Sequence, residues 1–267
     1  MHHQIDALAY RNRLRYLPPA HKVSFAVVLM GLGYLMPLPA QGLTVAWLAR
    51  WTIGYAGIPA GVYLRLQAIP LGFWLMSLPA LLLSWAPAAH RLTYQSDIWQ
   101  GLGLGPVYVY VSWQGIAQAS QVFGRMLVMT ACLYFILLTT PFVEIIRLLR
   151  QWGCPSLITD LLSLIYRFIF VLAATVTELL TAQEARLGYR TWRTTLRSLG
   201  LVVSQLLQRL LAHYRQTALG LAARGFTGEI RVWSARRYQP DHRYTWEAIG
   251  GCMLLLLFTG WYHAHRT

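Results

Sequence analysis

Charge is what this chain has least of. Asp, Glu, Lys and Arg make up 12% of the 267 residues, against about 25% in soluble domains, and mean hydropathy is +0.43. That balance excludes an ordinary soluble globular protein. Acid is scarcest: nine Asp and Glu stand against 23 Lys and Arg, a net charge of +14. Asp97, Asp160 and Glu178 stand alone, so the clustered acids of a phosphate-handling lipid enzyme are missing. HExxH is absent, which argues against an intramembrane metalloprotease, and neither a GxSxG elbow nor a Gly-rich phosphate loop is present. The three cysteines, Cys132, Cys154 and Cys252, are far apart and form no CxxC, which argues against a disulfide framework or metal cluster. His2-His3 and His263-Ala264-His265 supply too few ligands for a metal site. No resident cofactor or metal is expected, and without inverted repeats the pattern of a stand-alone secondary transporter is missing too. Lys22 is the single lysine, and the other basic residues are arginines dispersed along membrane-flanking segments. Topology and anionic lipid account for them better than nucleic acid does.

Long uncharged runs are what the chain has in abundance. Val23–Ala49, Leu66–Ala89, Met126–Val143 and Ala248–Tyr262 carry no charge, and a bilayer helix needs about 20 apolar residues. The fold class that follows is an all-α polytopic membrane protein with about five transmembrane helices plus long cytoplasmic or interfacial helices. Met36-Pro37-Leu38-Pro39-Ala40-Gln41-Gly42 breaks the first run, giving one helix from about Pro19 to Met36 and a second from about Gly42 to Gly61, with Arg50 inside it. Leu66–Ala89 and Ile116–Val143 are the third and fourth spans, the latter containing Arg125. Ala248–Ala264, flanked by Trp246 and by Trp261-Tyr262, is the fifth. Pro87–Gln114 reads as a long outer loop marked only by His90, Arg91 and Asp97. Gly31, Gly33, Gly54, Gly57 and Gly61 read as sites of close helix packing.

Basic residues orient the chain. Arg11, Arg13, Arg15 and Lys22 against Asp6 put the N-terminus in the cytoplasm, and no stretch there resembles a cleavable signal. Residues 141–246 hold 14 basic side chains against six acids and return to the same side after four spans. The chain therefore divides into an N-terminal transmembrane region (1–140), a coupling-helix region (141–246) and a C-terminal transmembrane helix and tail (247–267).

The middle region is helical by its own signals. Pro141 suits a first helical turn, Glu144 follows early and Arg147 and Arg150 late, as the helix dipole favours, and Gly153-Cys154-Pro155 stops the helix. Leu157–Thr177 is apolar but carries Asp160 and Arg167, which favours an interfacial course over a crossing. Leu196, Leu199, Val203, Leu206, Leu210 and Tyr214 recur at steps of three and four, the stripe of an amphipathic helix. Two sites end these segments: Ala185-Arg186 and Ala223-Arg224-Gly225-Phe226, the second with a helix-ending glycine. An arginine in such a place also serves the helix dipole. The pairing of two such sites in one basic region is what suggests docking onto a soluble partner. Arg125, Arg167 and Glu178 fit interfacial or helix-pairing roles better than a transport site.

Taken in order, these motifs resemble the transmembrane (T) component of energy-coupling factor transporters, in the cobalt or nickel branch (the CbiQ family). The residues are Ile5 to Leu14, Pro18-Pro19 with Lys22, Thr140-Pro141, Gly153-Cys154-Pro155, Leu164-Ile165-Tyr166-Arg167-Phe168-Ile169 and the two Ala-Arg sites. The resemblance covers most of the chain, and Ala223-Arg224-Gly225-Phe226 is its most specific part. It implies a non-catalytic subunit of an ABC-type importer in the inner membrane. Two long coupling helices would each present an Ala-Arg-Gly motif to ABC-type ATPase subunits (CbiO-like), through Ala185, Arg186, Ala223, Arg224 and Gly225. ATP-driven movement would then pass to a substrate-binding membrane subunit (CbiM/CbiN-like), which holds the Co²⁺ or Ni²⁺. Arginine suits such docking through its permanent charge and planar fork. The first site departs from the pattern, because Leu187 stands before Gly188. A T component for another micronutrient or vitamin, or an intramembrane enzyme, are the alternative readings.

Overall fold

The computed structural model describes residues 8–87, 98–104, 107–225, 238 and 242–265. The helices are α1 (Pro19–Leu35), α2 (Leu38–Ala49), α3 (Ala60–Leu82), α4 (Trp113–Thr139), α5 (Phe142–Gln151), α6 (Ser156–Ala185), α7 (Trp192–Ala223) and α8 (His242–Ala264). Three strands, β1 (Leu83–Pro87), β2 (Ile98–Leu104) and β3 (Val107–Ser112), lie between α3 and α4. The chain forms two compact units, Met1–Phe142 with Arg236–Thr267, and Val143–Ala235. The fold is that of an all-α polytopic membrane protein with one small sheet. Three helices, α3, α4 and α6, are long and apolar enough to cross a membrane, and α1 is a shorter apolar helix.

Proline sets the helix starts of the first unit. Pro19 opens α1, Pro37 caps α2, and Pro59 caps α3, where the missing N–H has no cost. A π-type turn, Arg50–Tyr55, prolongs α2 until Gly57 takes φ +72° and ends it. α4 is the central helix of this unit: Val128, Ala131, Cys132, Phe135 and Leu138 are all fully buried. Around Phe135 an aromatic cluster forms, with Phe25 at 5.9 Å from its ring, Trp51 at 4.9 Å from Phe25, and Tyr244 of α8 at 5.8 Å from Trp51. In lipid such contacts hold helices by close packing, since the tails are as apolar as the side chains.

Several expectations need correction. The third helix begins at Ala60, before Leu66, and ends at Leu82. Within the expected outer loop Pro87–Gln114, the described residues Ile98–Leu104 and Val107–Ser112 instead form two strands of an antiparallel sheet of order β1-β3-β2. The alternating β-branched and aromatic run Val107-Tyr108-Val109-Tyr110-Val111 explains why: it pairs with β1 on one side and β2 on the other. His90, Arg91 and Asp97 lie outside the described residues. Of the glycines expected at helix contacts, only Gly33 meets one: a Cβ there would overlap the Val128 side chain. Gly31, Gly54 and Gly61 face open space, and Gly57 serves a turn. The close approaches fall at other glycines: Gly124 against Gln41, Gly115 against the Leu81 carbonyl, and Gly251 against the Trp47 ring.

In the second unit, Glu144 lies in the first turn of α5 and Arg150 in the last. Gly153, at φ +89°, turns the chain and Pro155 caps α6. The 30 residues of α6 form one unbroken helix, about 45 Å long. Its length and composition allow a crossing as well as the expected interfacial course. α6 meets α7 where Phe168 stacks edge-on against His213 at 5.3 Å, beside Val171, Leu172, Thr175 and Leu210. The packed side of α7 is Thr195, Ser198, Val202, Leu206, Leu210, His213 and Thr217. The expected stripe shares only Leu206 and Leu210 with it. Leu196, Leu199, Val203 and Tyr214 are exposed, because Ser198 and Thr195, polar in sequence, take the inner positions.

Candidate functional site

Both arginine sites are helix C-caps, and their backbones match. Arg186 ends α6 at φ −91°, ψ 12°, and Arg224 ends α7 at φ −94°, ψ 12°. The next residue is left-handed in each: Leu187 at φ 57° and Gly225 at φ 67°. At the first site the amide of Leu187 donates to the Glu184 carbonyl at 2.9 Å and that of Gly188 to the Gln183 carbonyl at 2.9 Å. That pair of bonds is a Schellman motif. At the second site the Gly225 amide donates to the Ala222 carbonyl at 3.1 Å, the corresponding inner bond. Phe226, Thr227 and Gly228 lie outside the described residues.

Leu187 therefore performs in the first site what Gly225 performs in the second. Leucine enters the left-handed region at a cost of about 1–2 kcal/mol, and the cap bonds hold it there. Gly188 supports the turn from the other side: the Ser198 hydroxyl donates to its carbonyl at 3.0 Å. A Cβ at Gly188 would meet that hydroxyl and would come within 2.9 Å of the Gln183 carbonyl. The glycine required for close approach thus stands one position later than the motif suggests.

Ala185, Arg186, Ala223, Arg224 and Gly225 are all exposed. Each guanidinium leaves a helix whose final carbonyls carry partial negative charge, which favours a cation there. Neither arginine has an ion pair among the described residues. The flanking alanines leave the last turn slim, so another protein's backbone can approach. α7 has 32 residues and spans about 48 Å. Because α6 ends where α7 begins, the two caps stand at opposite ends of α7. This arrangement suits two separate contacts rather than one composite pocket. The start of α7 is firm: Thr191 and Thr194 form a reciprocal capping box.

The other charges noted in the sequence do not gather at the caps. Arg125 lies 4.6 Å over the Tyr34 ring, pairing α4 with α1. Arg167 is exposed, and Glu178 binds Arg209 at 3.2 Å between α6 and α7. No group of three or more His, Cys, Asp or Glu suited to a metal ion occurs among the described residues. His2 and His3 lie outside them.

Two residues matter more than their spacing suggested. Lys22 is 1% exposed and Asn12 4%, and both donate to carbonyls at the end of α4. A solitary lysine three residues inside an apolar helix was the available signal.

A profile of cobalt transport proteins, the CbiQ family, matches residues 11–233. Among curated relatives, a cobalt transport protein CbiQ of Rhodobacter capsulatus is 34% identical over 238 residues, 87% of this chain and 88% of that one. A cobalt transport protein CbiQ of Salmonella typhimurium is 25% identical over 228 residues, covering 85% and 99%. A protein of Methanocorpusculum labreanum named as a fused cobalt transport protein CbiMQ is 27% identical over 208 residues, 78% of this chain and 34% of that one.

Proposed function

Since the chain belongs to the CbiQ family of cobalt transport proteins, a membrane component of cobalt transport, we propose that it is the energy-coupling subunit of an ATP-driven importer. In this reading the chain performs no catalysis itself. ABC-type ATPase subunits bind the exposed caps at Arg186 and Arg224, one at each end of α7. Their closure on ATP moves α6 and α7, and the motion reaches a CbiM-like membrane subunit that captures the metal ion. The ion is cobalt, with nickel the near alternative. The N-terminus and the second unit face the cytoplasm of the inner membrane, as the density of arginine favours.

The observation that carries this reading is the matched geometry of two caps with unlike sequences. Left-handed helix ends are common, but leucine at φ 57° is an uncommon way to make one, and it leaves Arg186 in the backbone setting that Gly225 gives Arg224. The exposed apolar residues of α7, Leu196, Leu199, Val203 and Tyr214, offer further area beside the caps. The fused relative supports a working association with a CbiM-like chain.

The test is co-purification. Wild type, Arg186→Glu, Arg224→Glu and the double variant are each expressed with the candidate ATPase subunits and isolated from membranes. Each single variant is expected to retain ATPase weakly and the double variant to lose it, with helicity and thermal unfolding unchanged. Full retention by the double variant would refute docking through these arginines.

A further inference from the structure

We propose that Asn12 and Lys22 are positioning residues for energy coupling: they clamp the C-terminal end of α4, from which the chain passes into the second unit. The inference rests on the coupling reading above.

The last carbonyls of any helix lack partners within it, and α4 ends in a way that worsens this. Pro141 has no N–H to offer, and it holds Thr140 extended, at φ −123°, ψ 111°. The Thr140 amide satisfies the Ile136 carbonyl at 2.9 Å, while the carbonyls of Leu138 and Thr139 look elsewhere. Asn12 Nδ2 reaches the Thr139 carbonyl at 3.0 Å and the Leu138 carbonyl at 3.4 Å. Lys22 Nζ, from the first turns of α1, reaches the same Thr139 carbonyl at 3.0 Å. An ammonium group at this end meets the negative pole of the helix.

The donors are themselves tied down. Asn12 Nδ2 also reaches the Ala9 carbonyl at 2.7 Å, and the Arg13 amide binds the Ala56 carbonyl at 3.1 Å, at the end of the π-type turn after α2. Thr139 is fully buried, and its hydroxyl donates to the Phe135 carbonyl at 2.6 Å. One node thus joins the N-terminal segment, α1, the end of α2 and the end of α4. The only lysine of the chain is buried here, where burial is costly unless its bonds are made. Generic helix capping would be met by water or by a local side chain. Assembling it from residues more than a hundred positions away in sequence makes sense when the end must not fray. With its last carbonyls bonded, the end of α4 gives the chain a firm point of departure at Thr140-Pro141. A force arriving through α5 then moves the bundle instead of unwinding the last turn of α4.

The experiment uses the full importer reconstituted in vesicles, with Co²⁺ as the probe. Wild type, Lys22→Met, Asn12→Ala and Lys22→Arg are compared for Co²⁺ taken up per ATP hydrolysed, for ATPase association and for amide hydrogen exchange at residues 136–140, the last turn of α4 and its cap. Lys22→Met and Asn12→Ala are expected to lower uptake per ATP while the ATPase stays bound, and Lys22→Arg to keep most of it. Exchange at 136–140 should accelerate about ten- to a hundredfold in Lys22→Met, as for loss of a charged buried hydrogen bond. Uptake and hydrolysis falling together at a constant ratio would show a merely structural role and overturn the proposal, as would unchanged exchange. If Lys22→Met does not fold, Asn12→Ala decides by the same criteria. If wild type itself binds no ATPase, the coupling reading fails, and this proposal falls with it whatever the exchange result.

Discussion

Replacing Leu187 by glycine should make the protein more stable, although it removes a whole side chain. Leu187 sits at φ 57°, where a side chain costs about 1–2 kcal/mol. Glycine removes that strain but gains freedom in the unfolded chain, which takes back about 0.4–1 kcal/mol. Leu187 is 68% exposed, so little packing is lost, and both cap bonds come from backbone amides that remain. The net gain is about 0.5–1 kcal/mol, which for a chain of this size is a rise of about 2 °C in Tm. The mirror substitution, Gly225→Ala at φ 67°, should cost about 1 kcal/mol. The assay is thermal unfolding in detergent, with wild type, Leu187→Gly and Gly225→Ala measured side by side. A lower Tm for Leu187→Gly, or parity for Gly225→Ala, would refute the claim that the two caps share one backbone.

Other substitutions separate local causes. Gly33→Ala should cost about 1–3 kcal/mol by overpacking against Val128, while Gly31→Ala, facing open space, should stabilise α1 by up to about 1 kcal/mol; thermal unfolding of the pair checks both. Thr191→Ala removes the capping box of α7 and should cost about 1 kcal/mol, seen as earlier loss of helicity on heating. The Arg209–Glu178 pair is exposed, 51% and 70%, so a double-mutant cycle on unfolding should give a coupling below about 1 kcal/mol.

Much of the helical frame was legible because proline and charge punctuate it. Pro19 marks a helix start, and Gly153 and Gly225 mark ends where the left-handed region is needed, whereas α2 starts at Leu38, inside the segment read as a turn and ahead of the expected Gly42, because Pro37 caps it. The small sheet was less legible, since Leu83 to Pro87 continues an apolar run and only the alternation in Val107–Val111 betrays strand pairing. The amphipathic stripe of α7 was legible, but the side that packs on α6 was not, because periodicity does not say which face turns inward. In a membrane-associated helix, leucines can face lipid or a partner, and Ser198 and Thr195 turn inward instead. At the caps, Arg186 and Arg224 could be found from their motif. The equivalence of Leu187 to Gly225 could not, because nothing in a leucine codon signals positive φ. The clamp at α4 was hidden by distance: Asn12 and Lys22 meet Thr139 only through the fold.

The central claim is that ATP hydrolysis drives metal uptake through Arg186 and Arg224. The direct measurement is ATP-dependent uptake of labelled Co²⁺, with Ni²⁺ in parallel, into vesicles holding this protein with candidate ATPase and substrate-binding subunits. The account predicts uptake by wild type, partial uptake by either single Arg→Glu variant and none by the double variant, each with an intact fold. Undiminished uptake by the double variant would contradict it.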